Sequence, residues 1–433
     1  MSNLGFGVKI KEKNVLEPHR GKPQQLIPEK IVIPLSQHTG KPAREVVISG
    51  QQIMEGDLIG EKDGNISANI HASISGEVIK VEESFHPVTG CGKAVFMQGN
   101  GEHREWKERK PEEVKNLNRQ QLLKIIESAG IVGMGGAGFP THIKLQPSSE
   151  YKIDTLIING CECEPYLASD AILMQEYPFQ IVKGIEIITR IINPSQVIIA
   201  IEDNKQEAIL RMRQATVNKN IEVIKLSTRY PRGAEKQLIQ LLLKRKVPPG
   251  GLPFHVGVIV HNVATCYAIY EAIYKGKPLI ERLVTIAGDC VVHNGVYWIK
   301  VGSLVSEIVT KLGGFKKQPA KIIFGGPMMG IAQATIDVPV LKTTSAVIFL
   351  SQEYVTEYKE YPCVKCAKCV DVCPMRLLPT KIAQAVKFNR IDLAEEYNAV
   401  DCIECGCCQY ICPSNIPLVA YIKQAKNYLL RKK

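Results

Sequence analysis

No stretch of this 433-residue chain approaches the roughly 18 uninterrupted apolar residues that a membrane-crossing helix needs. Its opening, Met1-Ser2-Asn3-Leu4-Gly5, lacks the charged-then-apolar order of a secretory leader. The expectation is a protein neither exported nor membrane-spanning. Its basic residues are scattered and not interleaved with aromatics, so the cationic stacking strip suited to nucleic acid is missing and no nucleic-acid partner is expected. Hydrophobic residues make up 45% and charged residues 22%, which argues against disorder. The length suggests about three or four domains of ~100–150 residues each. Lys and Arg outnumber Asp and Glu by 54 to 43, a net +11. Two readings of that excess stay open. It suits docking to an acidic redox partner or an anionic cytoplasmic leaflet, where each nearby basic residue contributes about 1 kcal/mol. It equally suits solubility alone.

Against these absences stand 14 cysteines. Eight fall in two copies of one spacing, Cys363-x2-Cys366-x2-Cys369-x3-Cys373-Pro374 and Cys402-x2-Cys405-x2-Cys408-x3-Cys412-Pro413. Thiolates at every third position wrap a short turn around one face of an iron–sulfur cube, and the cysteine before proline supplies the fourth sulfur of the other cube. The spacing, that of bacterial two-cluster ferredoxins, predicts two [4Fe-4S] clusters with crossed ligand sets. Cys363, Cys366, Cys369 and Cys412 would hold one, and Cys402, Cys405, Cys408 and Cys373 the other. Structural zinc prefers two separated cysteine pairs, and a disulfide framework belongs to a small secreted domain. Cys91, Cys161, Cys163, Cys266, Cys290 and Cys407 show no regular spacing, and the whole set favours a reducing cytoplasm.

Along the chain the reading is multidomain, α/β and β. Residues 26–99 alternate in short strands broken by Gly, Asp and Asn, a small all-β unit. Gly56-Asp57-Leu58-Ile59-Gly60 and His71-Ala72-Ser73-Ile74-Ser75-Gly76 resemble the barrel-sandwich fold of lipoyl and biotinyl carriers. The modifiable lysine of such carriers is absent, so the unit reads as scaffold, with His71 a packing or turn residue. A charged connector, residues 101–111, marks a boundary. Over 112–275, helical-period segments (Gln120–Ala129, Ala234–Lys244) alternate with apolar runs (Thr155–Asn159, Gln196–Ile201, Val256–Val260), which predicts an α/β nucleotide-binding domain with a mostly parallel sheet. Residues 280–335 suggest a β-grasp-like, soluble ligand-binding module. Residues 351–433 form the helical two-cluster domain, with two helices expected within Leu377–Asn398.

Gly133-Met134-Gly135-Gly136-Ala137-Gly138 satisfies G-x-G-x-x-G, where bare glycines let backbone N–H groups approach a phosphate. A helical pattern precedes it and Pro140 follows it, unlike a standard dinucleotide-binding start, so a plain helix-connecting turn is the alternative. The longer string Gly133-x-Gly135-Gly136-Ala137-Gly138-Phe139-Pro140-Thr141-x-x-Lys144 resembles the flavin- and NADH-binding loop of the NADH-oxidising subunit of respiratory complex I. Asn159-Gly160-Cys161-Glu162-Cys163-Glu164-Pro165, Tyr230-x-x-Gly233-x-Glu235 and Asn262-Val263-x-Thr265 are similar to further strings of that family, in its order. The resemblance implies FMN and NAD(H) as cofactors. Gly133, Gly135, Gly136 and Gly138 would cradle phosphates and Lys144 would supply charge to the flavin phosphate. Asn159, Glu162 and Glu164 would face the flavin or nicotinamide, the two glutamates carrying the catalytic role, and Tyr230, Gly233, Glu235 and Asn262 would complete the pocket. Cys161 and Cys163 stand where that family has Asp and Gly; they read as packing residues, not redox thiols.

The full order, ending in Gly325-Gly326-Pro327-Met328-Met329-Gly330 and the paired cysteine motifs, resembles the RnfC family of the Rnf ion-translocating ferredoxin:NAD oxidoreductases. That resemblance implies an electron-transfer subunit at the cytoplasmic face of the cell membrane, attached peripherally. Its partners would be other subunits of a membrane redox complex, and ferredoxin. Leu16-Glu17-Pro18-His19-Arg20-Gly21-Lys22-Pro23 departs from the Gly-Gly-x-His-Pro-Pro string usual in that family. A soluble flavin and iron–sulfur corrin reductase of the propanediol-utilisation type shares the architecture. A non-enzymatic iron–sulfur relay is the alternative of another class.

Overall fold

The computed structural model describes residues 6–10, 22–355 and 359–432, so residues 16–21 of the departing segment lie outside it. Near the N-terminus an antiparallel sheet runs in the order Lys30–Pro34, Gly90–Gly99, Gly76–His86, Gln52–Ile53. A second sheet joins Arg44–Glu45, Leu58–Glu61 and Ile70–His71. Side chains alternate across each pleat, and Ile31, Ile33, Ile59, Ile70, Val78 and Val95 fill the interior of this barrel sandwich. His71 is buried, in line with a packing role.

Next comes a parallel sheet in the order Glu222–Leu226, Gln196–Glu202, Thr155–Gly160, Val258–Asn262. Its strands are apolar along nearly their whole length because helices cover both faces. Helices Arg119–Ser128, Pro178–Ile192 and Val263–Tyr270 pack on one face, and Glu235–Leu243 on the other. Gly184 lets two of these helices touch: a Cβ there would stand 1.9 Å from the Cys266 carbonyl oxygen.

A six-stranded mixed sheet follows, in the order Gln24–Leu26, Gly295–Lys300, Glu281–Gly288, Ala346–Leu350, Lys321–Phe324, Ile331–Gln333. Its inner strand Ala346–Leu350 runs parallel to Glu281–Gly288 and lies beyond the stretch read as this module from sequence. Three units meet at Lys342, 1% exposed, whose Nζ donates to the carbonyls of Asn69 and Gly130 at 2.8 Å each.

The last unit is helical. Pro379–Lys387 packs on Leu418–Arg431 through Ile382, Val386, Ile422 and Leu429. Helices Pro379–Lys387 and Ile391–Glu396 account for the pair expected between the motifs. The two motifs share one backbone path: positive φ recurs two and four residues after the first cysteine, at Lys365 and Ala367, then at Glu404 and Gly406, and three residues after the last, at Arg376 and Asn415.

Candidate nucleotide site and cluster centres

The parallel sheet reverses its winding between Thr155–Gly160 and Val258–Asn262, which places a crevice at the carboxyl ends of these two strands. Asn159 and Asn262 stand there in register. The Asn262 Oδ1 accepts the Ala264 N–H at 2.8 Å and so caps its helix. Asn159 Nδ2 donates to the Gly233 carbonyl at 2.8 Å, and its Oδ1 accepts the Cys161 amide at 3.0 Å.

The glycine loop overhangs this crevice. Met134 N–H donates to Thr265 Oγ1 at 2.9 Å, and Gly138 N–H closes the loop onto the Gly133 carbonyl at 3.1 Å. Gly135, Gly136 and Ala137 form an exposed tip, and among the described residues their amides donate to no protein acceptor. Gly136 is left-handed, φ +115°, with open space where a side chain would be. Three free, adjacent amides at a bare turn fit a phosphate. Lys144 reaches the same region and pairs with Glu235 at 2.8 Å.

Glu162 and Glu164 are both engaged by protein donors. Glu162 accepts Ser169 Oγ at 3.0 Å and the Asp170 and Ala171 amides at 3.0 and 3.2 Å, capping helix Ser169–Glu176. Glu164 accepts the amides of Met328 and Met329, in the second glycine loop, at 3.0 and 2.9 Å. Burial pushes its carboxyl above the usual range, opposed by those amides and by the Tyr230 hydroxyl at 3.4 Å. Gly326 is bare because a Cβ there would stand 2.1 Å from Glu164 Oε2. Gly233 leaves room in the same way beside the Cys161 carbonyl, 2.7 Å from a would-be Cβ.

Burial, and then Glu202, push the Cys163 thiol up to about 12, and burial raises Cys161 as well, so both stay protonated and read as packing residues. Three polar groups around the crevice went unread in the sequence: Asp170, whose Oδ2 accepts Asn262 Nδ2 at 2.6 Å; wholly buried Glu202, pushed up to about 7 chiefly by burial; and His261, kept neutral by burial beside Lys144. Each is one acid or imidazole in an ordinary string, and only the fold turns it toward the site.

In the last domain a cavity is lined by Cys373 together with Cys402, Cys405 and Cys408. The first motif's last cysteine thus lies with the second motif's first three. Cys363, Cys369 and Cys412 lie in one apolar cluster with Ile416 and Leu418, and Cys366 is exposed. Among the described residues no three such groups converge as they would on a single ion. A cube takes one thiolate at each corner, so sulfurs spread around a cavity fit it better than sulfurs gathered at a point. Backbone amides point at the sulfurs: Lys365 N–H to Cys363 at 3.4 Å, Glu404 N–H to Cys402 at 3.3 Å, and Leu377 N–H to Cys373 at 3.3 Å. Donors so placed stabilise charge on thiolates.

Site and centres meet. Tyr230, Cys405, Cys407 and Val8 form one buried cluster, with Cys163 and Met328 packed against it. Cys407 Sγ lies 3.9 Å from the Tyr230 carbonyl oxygen, and Gln237 Nε2 donates to the Pro374 carbonyl at 3.0 Å.

Four family profiles match this chain. They are the RnfC barrel sandwich hybrid domain over residues 4–102, the Nuo51 FMN-binding domain over 126–271, the SLBB domain over 283–332 and the 4Fe-4S dicluster domain over 362–416. The RnfC-type subunit of the proton-translocating ferredoxin:NAD(+) oxidoreductase complex of Clostridium ljungdahlii is 43% identical over 82% of this chain and 78% of its own. The corresponding subunit of the Na(+)-translocating complex of Acetobacterium woodii is 39% identical over 84% and 83%. That of a Vibrio cholerae ion-translocating oxidoreductase complex is 40% identical, over 84% of this chain and 48% of its own. In fold, the chain is similar to NAD+-reducing [NiFe]-hydrogenase, TM-score 0.51 at 19% identity, across 67% of this chain and 56% of that one. With 39–43% identity to these relatives over most of its length, the chain belongs to the RnfC family of ion-translocating ferredoxin:NAD oxidoreductase subunits.

Proposed function

We propose that this chain is the electron-transfer subunit of a membrane-bound ion-translocating ferredoxin:NAD oxidoreductase. It passes electrons between NAD(H), FMN and two [4Fe-4S] clusters, and partner subunits couple that transfer to ion movement. The observation that carries the reading is the buried seam in which Tyr230 and Cys163 of the nucleotide site pack against Cys405 and Cys407 of the second motif. FMN, when bound, takes the electron pair of a hydride and gives it up singly to one-electron clusters. The free amides of Gly135, Gly136 and Ala137, with Lys144 nearby, would hold its phosphate. Asn159 and Asn262 would orient what lies in the crevice. Glu162 and Glu164 would act on the pocket as its frame: one fixes a helix terminus, the other clamps the Met328–Met329 loop across the site's edge. The cysteines in their crossed sets would bind the clusters.

No helix among the described residues is long and apolar enough to cross a membrane, and peripheral attachment at the cytoplasmic face, beside the other subunits and within reach of ferredoxin, is part of the proposal. The test is anaerobic purification followed by FMN and iron analysis and addition of NADH. Bound flavin that bleaches with NADH is expected. Clusters without flavin, or flavin indifferent to NADH, would make the chain a bare relay.

A further inference from the structure

Asp170 is not explained by the fold alone. It sits in the first turn of helix Ser169–Glu176, where an acid suits the helix dipole, yet its side chain turns to Asn262, with Oδ2 2.6 Å from Nδ2. The other end of that amide is taken by the Ala264 N–H at 2.8 Å. An amide with a donor on its oxygen and a carboxylate on its nitrogen has one satisfactory orientation, because a flip would set oxygen against carboxylate and N–H against N–H. Directly above that amide is the glycine tip: a Cβ on Gly135 would stand 3.3 Å from Asn262 Cβ and 3.8 Å from Nδ2.

The surroundings keep Asp170 in place. Arg282 is 1% exposed, with Nη1 donating to the Lys342 carbonyl at 2.7 Å. It lines one small cavity with Asp170, Ser169 and Met134. Burial and then the neighbouring Glu162 push the Asp170 carboxyl up, while Asn262, Arg282 and Lys205 draw it back. The charged groups around it are therefore one acid and two bases, enough to hold an acceptor oxygen toward Asn262.

We infer that Asp170 is a positioning residue for the nucleotide cradle: its carboxylate fixes the Asn262 amide, and through it the floor beneath the Gly135–Gly136 tip on which FMN would rest. The inference depends on the flavin reading of the site. It is tested with the full chain and FMN, comparing Asp170→Leu, which removes the acceptor, Asp170→Asn, which keeps an acceptor oxygen, Asn262→Ala, and the Asp170→Leu/Asn262→Ala double variant, each first checked for an unchanged circular dichroism spectrum. Expected are an FMN dissociation constant raised about tenfold to a hundredfold in D170L, the range for a hydrogen bond to a charged group, and within about threefold of the parent in D170N. Because Asp170 acts through Asn262, adding D170L to N262A should cost little more than N262A alone. Additive losses, or D170N as damaging as D170L, would overturn the positioning role while leaving the flavin reading intact. A parent protein that binds no FMN would overturn the flavin reading itself. Should D170L fail to fold, the Asn262 side-chain amide protons decide by NMR: slow solvent exchange in the parent supports the lock, and exchange as fast as in exposed asparagines refutes it.

Discussion

The carboxylate of Glu164 accepts the backbone N–H of Met329 at 2.9 Å, although the two residues lie 165 positions apart. With the Met328 amide beside it, this joins the turn after strand Thr155–Gly160 to the glycine loop after strand Lys321–Phe324. That loop also meets the second cysteine motif, since a Cβ on Gly406 would stand 2.9 Å from the Met328 carbonyl oxygen. One carboxylate thus holds the corner where three units join.

Replacing Glu164 by Ala should strip two amides of a charged acceptor and cost about 2–4 kcal/mol, given 1.5–3 kcal/mol for a hydrogen bond to a charged group and partial rescue by water. E164Q, which keeps one acceptor oxygen, should cost about half as much. Urea unfolding measures the loss, and hydrogen exchange should show the Met328 and Met329 amides opening first. Unchanged protection in E164A would show that the loop is held by something else.

The crossed arrangement makes a separable prediction. Cys373→Ala should remove the cluster bound by Cys402, Cys405 and Cys408, and Cys412→Ala the other, each leaving about half of the iron. Electron paramagnetic resonance of the reduced variants distinguishes the two remaining centres. C373A should therefore match Cys402→Ala in the centre it retains. If it matched Cys363→Ala instead, the sets would be uncrossed.

Lys342 predicts a pH dependence. Burial without a carboxylate partner lowers its ammonium from 10.5 to about 7. Between those values the unfolded chain holds more protons than the folded one, so this residue's contribution to stability rises with pH across that window. Lys342→Met should flatten the rise. At pH 9 it should also be less stable by roughly 2–4 kcal/mol, because the Asn69 and Gly130 carbonyls lose their donor. Chemical denaturation of both proteins at several pH values gives the comparison.

Glu202 predicts the opposite slope. Its carboxyl is raised from 4.5 to about 7, mostly by burial, so the folded state holds more protons than the unfolded one in that interval and its contribution falls as pH rises. Glu202→Gln removes the titration. Relative to the parent, E202Q should gain about 1–3 kcal/mol between pH 5 and pH 8 by thermal or urea unfolding. A constant difference across that range would mean that Glu202 does not titrate there.

What the sequence made legible follows from how local each signal is. Cysteine spacing is legible because one turn of backbone presents three of a cube's four sulfurs, and the repeated positive φ at Lys365 and Glu404 is that same turn drawn twice. The parallel sheet is legible in apolar runs such as Gln196–Glu202, since helices cover both faces. The inner strand Ala346–Leu350 joins the mixed sheet by pairing with Glu281–Gly288 and Lys321–Phe324, a long-range choice that no window of residues contains. The string around Glu162 and Glu164 marks the site but not their partners: a helix N-terminus at Asp170 and Ala171, and a loop more than 160 residues away. Asp170, Arg282 and Lys342 acquire meaning only from groups that folding brings to them.

The most direct test of electron transfer from nucleotide site to clusters is NADH titration of the anaerobic, FMN-loaded protein, followed by electron paramagnetic resonance at low temperature. NADH alone should yield signals of reduced [4Fe-4S] centres, because the nucleotide site and the second cysteine set share the Tyr230–Cys405 seam. Reduced flavin beside clusters that stay oxidised with NADH, yet accept electrons from a chemical reductant of lower potential than any flavin, would contradict it.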